Sequence, residues 1–333
     1  MQLAVWAHPI TTYLNDTGEM GNDFKKMSKA GIDIYYPFVC LYGNSCYPSK
    51  FATQVTKEDL LKKITQIASY YNIEVHPVVA FISLGADHAK SYIGHGAQGE
   101  NPVGHAICPS QEANRKFVLD IVSELIENYK IKNNHPIKGI HLDYMRYPNA
   151  FYSLKYPCEC SACREYRKNW WGEEIFTNED MINPGKLYKE LEMRSLFVKG
   201  LVTKIRKLTA SAEIELSMAA REVYSFFALA EGQDWVEWSK EGLVDVISPM
   251  SYTTDFNHFE DFVSEHSRLL KNGKATYFAG VGRKSSKGEL TPDEMIRQIQ
   301  YAFAKDVQGC TIFHFGALTD EDFEKITELK FGK

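Results

Sequence analysis

Asp143 ends an apolar run, Gly139-Ile140-His141-Leu142-Asp143-Tyr144-Met145-Arg146-Tyr147-Pro148. An unpaired charge buried in such a strand costs several kcal/mol, so the carboxyl needs a partner or a task. Two readings are open. Asp143 and Arg146 pair to close off the end of a strand, or Asp143 faces a cleft while Arg146 and Tyr144 set its position and ionisation. Glu222, after Arg221, and Asp255, three residues beyond Tyr252, are further acids at the ends of strand-like runs. Cys158-x-Cys160-x2-Cys163 is a different kind of cluster, because three thiols so close in sequence can converge on one ion. A closed, soft cysteine site suits a structural Zn²⁺ and leaves no open position for catalysis. Cys108, in Ile107-Cys108-Pro109, is the fourth candidate ligand and Cys46 the reserve; free thiols or a disulfide are the alternative. Cys40 and Cys310 read as small buried hydrophobes.

The elements that must position these groups are legible as an alternation. Strand-like runs at 3–8, 32–39, 74–83, 138–144, 213–219, 244–252, 275–280 and 310–315 are separated by amphipathic stretches, among them 57–71, 111–129, 186–208, 259–272 and 292–304. Thr291-Pro292-Asp293-Glu294 supplies a cap, a proline at the first helical position and acids in the first turn. Asp320-Glu321-Asp322 opens a last helix similarly. Strands followed by helices imply a parallel sheet covered on both faces. Eight such units predict an α/β fold, a single (β/α)8 TIM barrel spanning 1–333 as one domain. No Gly-x-Gly-x-x-Gly follows the first strand, which argues against a dinucleotide-binding fold and any organic cofactor. Function in such a barrel sits at the C-terminal ends of the strands. Long loops are predicted there after strands three and four, at 85–109 and 149–184.

Composition bounds the partners. The 333 residues are 44% hydrophobic and 24% charged, which is ordinary for a folded chain. Lys plus Arg number 38 against 43 for Asp plus Glu, without a basic stripe, so no nucleic-acid partner is expected. No apolar run approaches membrane-span length, so no membrane partner is expected either. The opening Met1-Gln2-Leu3-Ala4-Val5-Trp6 reads as a strand, and a cytoplasmic location is expected, or secretion if a leader has been removed. Seven cysteines form no even framework of a small secreted domain. Aromatic residues reach 13%, compatible with a carbohydrate site and equally with a barrel core. Nothing sets the oligomeric state.

Three stretches carry a family resemblance. Gly139–Pro148 is similar to the Gly-(Ile/Val)-His-Leu-Asp-Tyr-(Ile/Val)-Arg-Tyr-Pro signature of the glycosyl hydrolase-like 10 family. Asp234-Trp235-Val236-Glu237-Trp238, followed by Gly242-Leu243-Val244-Asp245-Val246-Ile247-Ser248-Pro249-Met250-Ser251-Tyr252, resembles that family's strand-six region, and the closing Gly309–Leu318, with Phe313-His314-Phe315-Gly316, fits its last strand. The resemblance implies a glycosidase-like barrel acting on an O-glycosidic bond of an oligo- or polysaccharide, and names no sugar. Cys108, Cys158, Cys160 and Cys163 also resemble the structural zinc site of the family 42 β-galactosidases. Those enzymes carry Asn-Glu at the end of strand four, where this chain has Leu142-Asp143-Tyr144, so their acid/base assignment does not transfer.

Glycoside hydrolysis uses two carboxyl groups flanking the scissile bond. Asp143 is the first, read as nucleophile or base. Glu222 after strand five is the second, read as general acid by positional analogy with α-amylase-type barrels, with a salt bridge to Arg221 as its plain alternative. Asp255 is the reserve by analogy with α-galactosidase-type barrels. Strand seven ends Tyr277-Phe278-Ala279-Gly280 without a Glu, which argues against a nucleophile there. Trp6, His8, Tyr35, His76, His141, Tyr144, Arg146, Tyr252 and His314 are the candidate sugar contacts. A metal-dependent hydrolase is disfavoured because strand one offers Trp6-Ala7-His8 rather than His-x-His. A non-catalytic carbohydrate-binding barrel is the main alternative. Asp234 reads as a helix cap, and Asn169-Trp170-Trp171 as a loop anchor.

Overall fold

The computed structural model describes residues 2–332 apart from Asn15, Tyr42 and 81–106. Eight parallel strands close on themselves: β1 (Gln2–Ala7), β2 (Ile34–Leu41), β3 (in two pieces, Glu74–Val75 and Val78–Ala80), β4 (Gly139–Asp143), β5 (Glu215–Ala220), β6 (Val246–Pro249), β7 (Thr276–Gly282) and β8 (Gly309–Phe313). Each pairs with its neighbour in sequence, and β1 closes the ring by pairing with both β2 and β8. Around it lie α1 (Met20–Ala30), α2 (Leu60–Tyr70), α3 (Glu112–Leu125), α4 (Pro184–Ser211), α5 (Trp235–Glu241), α6 (Phe256–Leu270), α7 (Pro292–Ala304) and α8 (Asp320–Phe331). This is the expected (β/α)8 barrel. Asp234 accepts from the Glu237 amide as the cap of α5, and Thr291 and Thr319 form capping boxes with Glu294 and Asp322. The stretch predicted as a long loop after strand four holds short helices, Ala150–Ser153 and Ser161–Trp171. Most of the loop predicted after strand three lies outside the described residues. Among the described residues, no helix is long and apolar enough to cross a membrane.

The two-residue period of each strand sorts its side chains into two cores. Leu3, Val5, Ile140, Leu142, Leu216, Met218 and Ile312 face the helices. Ala4, Trp6, Tyr36, Phe38, Val78, Ala219, Val246 and Phe278 fill the barrel. The same alternation corrects one expectation: Tyr35 lies on the outer face against Phe24 and Phe315, so it is no sugar contact.

The interior also holds polar groups. His76 is fully buried at the N-terminal end of the barrel, between Glu74 at 3.3 Å and Glu215 at 3.4 Å. It therefore sits at the end opposite the functional face, another correction to the expected contacts. Above it, Trp6 donates its indole N–H to His141 Nε2 at 2.9 Å, and His141 Nδ1 lies 2.9 Å from the Ser217 hydroxyl. An indole is only a donor, so Nε2 of His141 carries no proton. Burial, reinforced by His76, holds this imidazole well below its usual pKa, in agreement with a neutral ring. His141 supports Trp6 from inside the core and does not reach the cleft.

Gly139 begins β4 because a Cβ there would lie 2.5 Å from His76 Nδ1 and 2.9 Å from the Glu215 carbonyl. Gly139→Ala should therefore destabilise the protein by about 1–3 kcal/mol through overpacking, measured by urea unfolding. Wild-type stability in this variant would disprove the close fit.

Candidate active site

β4, β5 and β6 end at one cavity of about 460 Å³ on the C-terminal face of the barrel. Its lining includes Trp6, His8, Asp143, Tyr144, Arg146, Glu222 and Tyr252, seven residues singled out from the sequence. The floor is aromatic. Trp6 packs edge-on to Tyr252 and Phe313, and Tyr252 lies against the backbone of Gly282, where a Cβ would come within 3.0 Å of its ring. His8 stacks on Phe38 with ring centres 4.5 Å apart. Burial, then the neighbouring His314, lowers His8 to about 4, so near neutrality it offers an uncharged imidazole for hydroxyl groups. His314 touches His8 with centres 5.7 Å apart, outside the lining itself.

Asp143 is 6% exposed and is the last residue of β4. Burial raises its pKa to about 6, against the opposing pull of Arg146 and of the Tyr144 N–H, which donates to Oδ1 at 2.6 Å. Tyr144 holds φ 50°, a left-handed backbone for a bulky residue. Such strain persists only where the surroundings over-determine it, and it clusters at functional sites. Its ring lies beneath the Arg146 guanidinium, 5.0 Å from the ring centre.

The residue that organises the charges was not visible in the sequence. Glu231, fully buried, accepts from Arg146 Nη1 at 2.8 Å and from the Ala150 amide at 2.9 Å, and Arg221 Nε lies 3.2 Å from it. Arg221 also lies 3.5 Å from Glu222, the salt bridge anticipated for that acid. Glu222 nevertheless lines the cavity. Asp255 does not: it caps α6 by accepting from the Asn257 and His258 amides, which removes it as a reserve catalytic acid. Ser285, Ser286, Lys287 and Phe313 also line the wall; no motif marked the first three.

Away from the cavity, the Sγ atoms of Cys108, Cys158, Cys160 and Cys163 all lie within 4.8 Å of one another, and all four residues are buried. Cys108 Sγ is 3.7 Å from Cys163 Sγ and 3.7 Å from Cys160 Sγ, far beyond an S–S bond. The cluster could hold a metal ion. Cys46 is buried elsewhere, beside Cys40. Trp170 stacks on Tyr166 and remains 70% exposed, whereas Trp171 packs on Phe176 and anchors the segment.

No protein-family model matches the chain, and no curated protein matches it. Solved structures do match in fold. The glycoside hydrolase domain of PgaB (BpsB) from Bordetella bronchiseptica superposes with a TM-score of 0.77 at 10% identity, over 99% of this chain and 98% of that one. A β-galactosidase from the psychrophilic Marinomonas ef1 gives 0.70 at 12% identity, over 99% of this chain and 59% of that one. A xylanase and α-amylase inhibitor protein from Scadoxus multiflorus gives 0.53 at 10% identity, over 100% and 98%. The chain thus shares its fold with barrels described as a glycoside hydrolase domain and a β-galactosidase, and also with one described as an inhibitor protein.

The raised Asp143 carboxyl has a consequence for stability. Its folded pKa of about 6 lies above the ordinary carboxyl value of 3.8, so the folded state binds the extra proton and stability falls as pH rises between the two. Relative to Asp143→Asn, the wild type should lose roughly 2–3 kcal/mol between pH 4 and pH 7. Denaturant unfolding of both proteins across that range checks this; parallel curves would show that Asp143 titrates normally.

Proposed function

We propose that the protein is a glycoside hydrolase cleaving O-glycosidic bonds of an oligo- or polysaccharide, with Asp143 and Glu222 as its carboxyl pair. The observation that carries this reading is the shared cavity at the C-terminal face, where one of two acids is buried and the other is paired with Arg221. Asp143, raised to about 6, is suited to hold a proton near neutrality and give it to the leaving glycosidic oxygen. Glu222 then attacks the anomeric carbon or takes a proton from the attacking water. This reverses the order expected from the sequence, because burial of Asp143 outweighs the pull of Arg146. Trp6, Tyr252 and Phe313 offer ring faces for the sugar, and His8 a hydroxyl contact. The reading agrees with the resemblance of Gly139–Pro148 to the glycosyl hydrolase-like 10 family.

Hydrolysis of a panel of aryl glycosides and polysaccharides by the wild type, Asp143→Asn and Glu222→Gln tests it. Each variant is expected to lose at least about 100-fold in kcat/KM, with the acidic limb or basic limb of the pH profile altered according to the role lost. Turnover unchanged in Asp143→Asn would reject the assignment. End-to-end likeness to an inhibitor barrel favours a second reading, a carbohydrate-binding protein without turnover; sugar binding with no hydrolysis by any of the three proteins would select it.

The four thiols are assigned to a structural zinc. A tetrahedron with Zn–S bonds of about 2.3 Å has edges of about 3.8 Å, close to the 3.7 Å separations here. Arg167 reaches the cluster, donating to the Cys158 carbonyl at 2.7 Å, and its charge acts on Cys163 and Cys158. A guanidinium there complements thiolates better than thiols. The purified protein should contain one zinc per chain by mass spectrometry of metals. Cys160→Ser should lose it and melt roughly 5–10 °C lower; a metal-free wild type of unchanged stability would refute the site.

A further inference from the structure

One segment of the cavity wall belongs neither to the barrel nor to the carboxyl pair. After β7 the chain forms a small hairpin, Lys284–Ser285 pairing antiparallel with Gly288–Glu289, whose turn places Ser285, Ser286 and Lys287 on the cavity. The hairpin is firmly held. Arg283 at its base is 5% exposed, ion-paired with Asp322 at 2.9 Å and Glu289 at 3.2 Å, and it donates to the Leu290 carbonyl at 2.5 Å. On the other strand, Gly288 holds φ +125°, and a Cβ there would lie 2.8 Å from the Thr254 methyl group. A surface turn fixed to this degree presents its side chains in one place, as a recognition element requires.

The charges around the cavity are unevenly satisfied. Arg146 pairs with Glu231, and Arg221 with Glu222 and Glu231. Lys284 pairs with Glu289. Among the described residues Lys287 has no ion pair, although it lines the cavity. Two hydroxyls beside it, Ser285 and Ser286, can donate to the same group. Asp143 and Glu222 belong to β4 and β5 and their loop, the hairpin to β7. A sugar whose anomeric carbon lies at the carboxyl pair would therefore offer another substituent to an ammonium and two hydroxyls.

We propose that the cavity selects an acidic sugar, with the carboxylate of a uronic acid residue bound by Lys287, Ser285 and Ser286. The inference rests on the glycosidase reading for the identity of the ligand as a glycan, and it makes the hairpin the specificity-determining element. A sulfated or phosphorylated sugar would present a similar anion, so the test separates these sources.

Calorimetric titration of Asp143→Asn, which holds substrate without turnover, should compare oligouronates with the corresponding neutral oligosaccharides, and with sulfated and phosphorylated ones. Oligouronates are expected to bind at least about tenfold tighter than their neutral counterparts, with an affinity that weakens as salt rises. Adding Lys287→Ala should cost about five- to tenfold on the oligouronate and nothing on the neutral sugar, and Lys287→Arg should restore most of the loss. Lys287→Ala lies on an exposed turn, and an unchanged melting temperature shows that the fold is intact. Equal affinity for acidic and neutral sugars, no binding of either, or indifference to Lys287→Ala overturns the proposal. Stronger binding of sulfated or phosphorylated sugars than of uronates overturns the carboxylate assignment. Wild-type hydrolysis decides the other question separately. Lys287-dependent binding of oligouronates without cleavage leaves this inference standing and removes the hydrolase; cleavage of neutral glycans alone does the reverse.

Discussion

Burial of Glu231 is the constraint on which the functional face depends. A carboxylate wholly out of water is costly unless its lone pairs are filled by donors and countercharges. Here the fillers come from three places: Arg146 after β4, Arg221 after β5 and the amide of Ala150 at the start of the next short helix. Meeting the needs of one acid therefore fixes two guanidinium groups and the path of two loops. Those guanidiniums lie beside the two acids of the cavity, Arg146 acting on Asp143 and Arg221 on Glu222. Burial is the larger influence on Asp143, and Arg146, held in place by Glu231, is the opposing one.

The same network continues outward to the thiol cluster. Arg194 donates to the carbonyls of Ser153 and Ala230, the latter one residue before Glu231, and it pairs with Glu190. Arg167 takes the other oxygen of Glu190 and donates to the Cys158 carbonyl at 2.7 Å. Gly232, with φ +76°, makes room for this strut, since a Cβ there would lie 2.8 Å from the Arg194 backbone. A chain of buried, charge-assisted bonds thus runs from the cysteine segment to the loop carrying Glu231. These bonds, together with the buried thiol cluster, hold the segment after β4 against the barrel.

Much of this was legible in the sequence, for reasons that are local. Periodicity reports which residues face a core, so the strands and the alternating helices followed from it, while the capping of α7 by Thr291 was readable from the residue types of Thr291-Pro292-Asp293-Glu294. Cys158, Cys160 and Cys163 lie within two turns of chain, and their convergence with Cys108 was readable from spacing and resemblance. Asp143 was recognisable because a charge at the end of an apolar strand demands an account. What failed was everything set by rotation about a strand or by distance across the barrel. Tyr35 and Tyr36 are adjacent, yet only Tyr36 faces inward, and a single-residue shift in phase decides between them. His76 and His141 share the interior with the cavity residues but occupy lower layers, a difference in height along the strand. Asp255 satisfies a helix terminus, the commonest use of an aspartate at such a position. Glu231 had no signature at all, because its role arises only when two loops meet.

At Asp143 the stability of the barrel and the chemistry proposed for it oppose one another. An asparagine would keep an acceptor for the Tyr144 amide without the cost of a buried charge, and a glycine at 144 would relieve the backbone held at φ 50°. Neither substitution is needed for the barrel to close, since β4 is already paired on both sides through His141 and Leu142. The chain accepts both penalties at one place, the last residue of β4 and the first beyond it. That place is where the strand delivers its side chain to the cavity, with the neutral His141–Trp6 pair beneath and the Glu231-bound Arg146 beside it. A carboxyl kept near the protonation threshold of neutral solution, on a rigid strand and over an aromatic floor, is an arrangement that packing alone does not require. The proposed hydrolase chemistry gives it a purpose, a proton held for transfer to the leaving oxygen.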